Sequence, residues 1–91
     1  MAWQVEFTPK ARRALDSLDR QVARRILKFL SERLANAADP RILGQALRGD
    51  ELGDFWKYRV GDYRIIADIV DKKVVIYVLN IGHRSTIYRV K

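Results

Sequence analysis

The chain contains no cysteine, which excludes disulfide bonds, thiolate zinc sites and cysteine nucleophiles. It also has no apolar run that approaches the roughly 20 residues a membrane-spanning helix needs. The first ten residues, MAWQVEFTPK, lack the apolar region of a secretory signal peptide. These absences predict a soluble, cytoplasmic protein with no membrane association, and they suit a reducing compartment.

Several signatures of enzyme chemistry are missing as well. There is no glycine-rich phosphate loop and no G-x-S-x-G nucleophile motif. The single histidine and the carboxylates do not cluster at metal-ligand spacing, and Asp50, Glu51 and Asp54 lie in a turn-rich segment where aspartate is common. We therefore expect no metal and no cofactor. Any nuclease chemistry would use the 2′-hydroxyl of RNA as the nucleophile, while side chains position the strand, transfer protons and stabilise charge.

What the chain has in excess is positive charge. Eighteen lysines and arginines against eleven acids give a formal net charge of +7 and a pI near 10.1. Such a surplus on a small domain favours an anionic partner, either nucleic acid or an acidic protein. The alternative is a surface that is charged only for solubility.

The 91 residues predict one α+β domain, residues 1–91, with the order β-α-α-β-β-β and a helical hairpin on one face of an antiparallel sheet. Thr8 and Asp19 are the expected N-caps of the two helices, and apolar residues at three- and four-residue spacing predict one buried stripe on each helix. The first strand covers residues 3–8, and three more strands follow the helices: Phe55–Val60, Tyr63–Val70 and Lys73–Ile81. The connectors of the last three are the pairs Gly61-Asp62 and Asp71-Lys72, and the tail is a loop or short helix.

The strand register predicts a basic face. A two-residue turn at Gly61-Asp62 places Arg59 opposite Arg64, with Lys57 on the same side and the apolar residues of both strands on the other. Like charges opposed across a strand pair are destabilising, and a bound anion would offset that cost. The alternative is that these are ordinary solvated strand residues, paired with Asp68 or Glu51.

The last hairpin extends this face. A connector at Asp71-Lys72 aligns Val70 with Lys73 and Arg64 with Leu79, so the end of the chain emerges beside Arg64. It would bring four further side chains to the site: His83, Arg84, Tyr88 and Arg89. Guanidinium groups bind phosphate bidentately and a tyrosine ring stacks on an unpaired base, so the set suits RNA. Alternatively, Tyr88 is a core aromatic residue and His83 has a structural hydrogen-bonding role.

Three parts of the sequence resemble the RelE branch of the RelE/ParE toxin superfamily. They are the helical hairpin, the LRG at 47–49 that follows it, and WKYRVGDYRIIADIVDKKVVIYVLNIGHRSTIYR at 56–89. The resemblance implies a RelE-like fold and a toxin of a type II toxin–antitoxin pair. Such toxins enter the ribosomal A site on the 30S subunit and cleave mRNA without a metal, through attack by the 2′-hydroxyl. The implied partners are therefore the ribosome, mRNA and an acidic, RelB-like antitoxin, and operator DNA only indirectly through the antitoxin.

The resemblance also implies roles for individual residues. Lys57 and Arg59 match the two basic positions of the strand before the turn, and Arg64 matches an arginine that contacts the reacting phosphate. Arg84 matches a phosphate-binding arginine and proposed proton donor, and Tyr88 matches a tyrosine that stacks on a base. Position 59 departs from the family pattern: it is arginine here, where the best-studied branch has a lysine that is the proposed general base. Arginine is effectively never deprotonated, so it is a poor base.

That departure leaves Lys57 or His83 as candidate acids or bases, or else a 2′-hydroxyl activated mainly by electrostatics. Arg89 is expected to add to RNA binding. Two other functions share the scaffold: a ParE-type toxin that inhibits gyrase, which would not need a phosphate-binding face, and a catalytically degenerate toxin that only binds its antitoxin and operator DNA.

Overall fold

The computed structural model describes residues 2–47 and 55–87. The elements follow in the order β1 (Gln4–Phe7), α1 (Pro9–Asp16), α2 (Arg20–Lys28), β2 (Gln45–Ala46), β3 (Trp56–Val60), β4 (Tyr63–Val70) and β5 (Val75–His83). The strands form one sheet in the order β1-β5-β4-β3-β2. The predicted α+β class, with two helices against one sheet, is confirmed. The sheet is mixed, because β1 runs parallel to β5 while the other pairs are antiparallel.

Both helices begin where the capping residues predict. The Thr8 side chain accepts a hydrogen bond from the backbone N–H of Ala11 at 3.1 Å, with Pro9 in the first turn. Asp19 accepts one from the N–H of Gln21 at 3.0 Å. The Thr8 backbone N–H also donates to Val78 of β5 at 3.0 Å, which fixes the start of α1 to the sheet.

The second helical stretch changes its hydrogen-bond pattern before it ends. After Lys28 the backbone continues as a π-helical segment, Phe29–Leu34, and the N–H of Ala35 bonds to the carbonyl of Leu30 at 2.9 Å. The apolar stripe predicted for this stretch is nevertheless confirmed. Ile26, Leu30 and Leu34 are at most 2% exposed and pack in the core with the inner face of the sheet.

The core lies between the two helices and one face of the sheet, the apolar face that the predicted pairing of β3 with β4 identified. Tyr58, Ile65 and Ala67 are at most 1% exposed, and the rings of Phe29 and Tyr58 lie 6.0 Å apart. The Tyr58 hydroxyl donates to the carbonyl of Pro40 at 2.9 Å. Burial raises the pKa of Tyr58 to about 12, because the charged phenolate is disfavoured away from water.

The predicted connector between β4 and β5 is wrong. In place of a two-residue turn at Asp71-Lys72, the chain forms a 3₁₀ turn over Asp71–Lys73, and Val74 follows in the left-handed region at φ 54°. Val70 therefore pairs with Val75, not Lys73. The turn is held by the N–H of Val74, which donates to Asp71 at 3.1 Å.

A β-bulge displaces the register further along the same pair. Ile66 pairs with Asn80 and Ala67 with Val78, which leaves Leu79 as the extra residue. Arg64 therefore lies opposite Gly82 instead of Leu79, a shift of three positions, of which two come from the longer turn and one from the bulge. An odd shift exchanges the two faces of a strand, so the side chains at the end of β5 point the opposite way from the predicted register.

Across residues 2–47 and 55–87, no helix is long and apolar enough to cross a membrane.

Candidate functional site

The predicted register of β3 against β4 is confirmed residue by residue. Val60 pairs with Tyr63 and Arg59 with Arg64 across the Gly61-Asp62 turn. Gly61 has φ +59°, which is the conformation that the first position of this turn requires and that glycine adopts at low cost. Opposed residues of an antiparallel pair share a face. Arg59 and Arg64 therefore lie on the sheet face turned away from the helices.

These cations line a groove of about 390 Å³. One side is formed by Lys57, Arg59 and Arg64, and the other by the end of the 3₁₀ turn Pro40–Leu43 and the start of β2. The residues that line it are Leu43, Gly44, Gln45, Lys57, Tyr58, Arg59 and Arg64. Among these described residues three are cationic and none is acidic, so the groove is suited to an anion.

The second wall of the groove was not predicted from sequence. Gly44 packs so closely on β3 that a Cβ atom there would lie 2.6 Å from Cε1 of Tyr58 and 2.7 Å from the Lys57 carbonyl oxygen. The hydrogen bond from Tyr58 to Pro40 holds the same segment from the core side. Gly44 is therefore the signal for this wall in the sequence, although a single glycine in such a position is equally typical of an ordinary loop after a helix.

The Arg64 side chain is oriented by the turn beside it. One terminal nitrogen, Nη1, donates to the carbonyls of Gly61 at 3.1 Å and Tyr63 at 3.0 Å. These bonds use one nitrogen of the guanidinium, so the other donors stay available for a ligand. The turn therefore holds a positive charge in one orientation without neutralising it.

Arg84 reaches the same turn from the end of β5. Its backbone N–H donates to the carbonyl of Asp62 at 2.8 Å, and its Nε lies 3.6 Å from Oδ1 of Asp62. Both side chains of this ion pair are more than 60% exposed, so the pair contributes little to stability and can yield to a stronger anion. The structure thus brings Arg64 and Arg84 to one turn, as the sequence predicted.

His83 lies on the other face of the sheet. It pairs with Tyr63, and the two rings meet edge to face with centroids 5.4 Å apart. Its Nδ1 accepts a hydrogen bond from the N–H of Ser85 at 3.1 Å, which in the neutral ring puts the proton on Nε2. The prediction that the strand end delivers His83 beside Arg59 and Arg64 is therefore not matched by the structure, because the three-position shift turns it away.

The remaining predicted site residues, Tyr88 and Arg89, lie outside the described residues. Within the described ranges, no three histidine, aspartate or glutamate side chains gather as a metal site. Chemically, the groove offers fixed cations for a phosphate. Only Lys57 among them can lose a proton, since a guanidinium does not.

Residues 5–88 match the family model described as the ParE toxin of the type II toxin–antitoxin system parDE. The match spans nearly the whole chain, so the protein belongs to the RelE/ParE superfamily of type II toxins.

Three relatives place it within that superfamily. The chain is 33% identical over 89 residues to toxin RelG of Mycobacterium tuberculosis, covering 98% of this chain and 99% of that protein. It is 32% identical over 87 residues to the mRNA interferase toxin RelE of Escherichia coli, covering 93% and 86%. The fold matches a chain of the RelBE2 toxin–antitoxin complex of M. tuberculosis with a TM-score of 0.84 and 29% identity, covering 93% and 94%. The protein is a RelE-branch toxin, and the predicted resemblance is confirmed.

Proposed function

We propose that this toxin is an endoribonuclease that cleaves mRNA in the ribosomal A site and thereby arrests translation in the cytoplasm. The observation that carries the proposal is the convergence of Arg64 and Arg84 on the Gly61-Asp62 turn, beside a groove lined by cations and, among the described residues, by no acid. A similar protein, from E. coli, is named an mRNA interferase.

In the proposed reaction the 2′-hydroxyl of RNA attacks the adjacent phosphorus, and the bond to the 5′-oxygen of the next nucleotide breaks. The products are a 2′,3′-cyclic phosphate and a 5′-hydroxyl. Arg64 binds the phosphate and stabilises the charge that builds on it in the transition state. Arg84 binds the phosphate and donates a hydrogen bond to the leaving oxygen, which takes its proton from solvent water.

The roles on β3 differ from those at the turn. Lys57 is the candidate base, since it alone among the groove cations can lose a proton. Arg59 binds phosphate and does not act as a base. His83 faces the other side of the sheet and is left out of the mechanism, whereas Tyr88 keeps its proposed stacking role and Arg89 its proposed RNA contact.

The test is primer extension on a translated message after brief induction, with Arg64→Ala and Arg84→Ala as variants. Arg24→Ala is the matched control, because Arg24 is an exposed arginine on α2 outside the groove. We expect codon-phased cuts with the wild type and the control, and loss of about 10²–10³ in cleavage with each site variant, as for the removal of one transition-state donor. Full toxicity of both site variants would contradict the proposal.

The proposed partner is an acidic, RelB-like antitoxin. The net charge of +7 suits it, and a chain of similar fold from M. tuberculosis belongs to a solved toxin–antitoxin complex. Co-purification with the product of the neighbouring reading frame, repeated at high salt, tests this. A complex that forms with an acidic protein and weakens as salt rises is expected.

Inhibition of gyrase is a second candidate, because the matching family model is described as ParE. A supercoiling assay with purified gyrase separates the two. Inhibition of supercoiling together with intact A-site mRNA on programmed ribosomes would favour the gyrase toxin. A protein inactive in both assays that still binds its antitoxin would be the degenerate form.

A further inference from the structure

A second basic groove, of about 310 Å³, lies between the end of α2 and the Gly61-Asp62 turn. Its cations are Arg25 and Lys28 of α2, Arg33 of the π-helical segment and Arg59 of β3. One acid, Glu32, is among the described residues that line it. All five charged side chains belong to exposed residues, so the groove is open to a large ligand.

Although Glu32 lines the same groove, most of its cations have no salt-bridge partner among the described residues. In the described ranges none of Arg25, Lys28 and Arg59 forms an ion pair within 4.0 Å. Arg25 lies directly over the turn, with Nη1 3.2 Å from where a Cβ on Gly61 would be. Glycine at that position thus leaves the room in which the guanidinium sits. The cations repel one another, and a bound polyanion would remove that repulsion.

Arg59 lines both grooves. The two grooves therefore adjoin at Arg59 near the end of β3, beside the Gly61-Asp62 turn that Arg64 and Arg84 both contact. A single-stranded RNA has a phosphate at every nucleotide, so a strand held in the first groove can extend past Arg59 to the cations of the second. Because the first groove is the proposed RNA site, the shared Arg59 favours the same RNA strand over an acidic protein segment as the occupant.

We infer that the groove between α2 and the Gly61-Asp62 turn binds the backbone of the RNA strand beyond the nucleotide at the first groove, with Arg25 and Lys28 as phosphate contacts. This inference rests on the proposed function and deepens it. It predicts a binding contribution from residues that do not touch the scissile phosphate. Their loss should therefore weaken RNA binding without a change in the chemistry.

The probe is a fluorescent 2′-O-methyl oligoribonucleotide, which cannot be cleaved because its nucleophile is blocked. Anisotropy titrations over a range of salt concentrations yield the slope of log K against log salt, about −0.7 for each phosphate contact to a single strand. Arg25→Ala with Lys28→Ala should flatten the slope by about 1.4. The matched control, Lys10→Ala with Arg24→Ala, removes the same charge from exposed helical positions outside both grooves and should leave the slope unchanged.

Glu32→Gln is the reciprocal variant, and it should tighten binding because it removes the acid of the groove. Equal slopes for the two double variants would overturn the inference, since only net charge would then matter. An unchanged RNA slope for the Arg25 and Lys28 variant, with weakened antitoxin binding, would also overturn it and assign the surface to the acidic protein.

Cleavage is measured in a separate assay, so the RNA-binding inference and the endonuclease proposal can be contradicted independently. If the slope flattens for the Arg25 and Lys28 variant while wild-type protein leaves A-site mRNA intact, the second groove binds RNA and the endonuclease proposal is wrong. Thermal unfolding of each variant confirms that its fold is retained.

Discussion

The opposed pair of Arg59 and Arg64 should make the basic face a site of measurable instability. The two side chains face each other across β3 and β4, and Arg59 also shares the second groove with Arg25 and Lys28. Opposed like charges on a sheet cost about as much as favourable pairs gain, ~0.2–1 kcal/mol. Arg59 is exposed, so water screens the repulsion, and we take a total of about 0.5 kcal/mol.

Arg59→Gln keeps a long polar side chain and removes the charge. It should raise the melting temperature by about 2–4 °C, because ~1 kcal/mol corresponds to about 4–8 °C in a domain of this size. The same variant should lower RNA cleavage, since the proposed mechanism uses Arg59 to bind phosphate. Stability and activity would then move in opposite directions at one residue.

The assay is thermal unfolding followed by circular dichroism at about 0.1 M and about 1 M salt, where the screening length falls from about 10 Å to about 3 Å. The advantage of Arg59→Gln should disappear at high salt. Arg24→Gln, with the same charge change on the outside of α2, measures the effect of net charge alone. The reasoning is refuted if Arg59→Gln melts at or below the wild type in low salt, or if its advantage persists unchanged in high salt.

Three further predictions concern the fold around the site. Tyr58→Phe leaves the Pro40 carbonyl without its bond and should lower the melting temperature by about 4–16 °C, for a loss of about 1–2 kcal/mol. The pKa of Tyr58 is raised to about 12, so the stability it confers is complete below its ordinary pKa of about 10 and is lost as pH rises to about 12. The gap between wild type and Tyr58→Phe should narrow over that range, and a gap that widens would contradict this. Gly44→Ala forces a Cβ to within 2.7 Å of the Lys57 carbonyl oxygen and should cost about 1–3 kcal/mol in urea unfolding; a neutral result would show that this wall is free to move. Val74→Asn places a residue that tolerates φ 54° in the turn and should add about 1 kcal/mol, seen as a higher urea midpoint; a lower midpoint would mean that contacts of the valine matter more than its strain.

Local signals in the sequence were sufficient for much of the fold. The Thr8 and Asp19 caps, the apolar stripes and the Gly61-Asp62 turn each depend on residues close together in the chain. They predicted the helix starts, the core face and the alignment of Arg59 with Arg64. The short strand β2 was missed, because two residues, Gln45–Ala46, are too few for a periodic pattern.

The sequence by itself determined the class of protein and its positive charge. It also determined the pairing of β3 with β4, because a two-residue turn sets strand register within a few residues. Only the tertiary structure decided which side chains at the end of β5 join the site. That strand pairs with β4 on one side and β1 on the other, so its alignment depends on residues far apart in the chain. The left-handed Val74 and the bulge at Leu79 together shift it by three positions. Because that number is odd, Arg84 meets the cations at the turn while His83 lies on the opposite face.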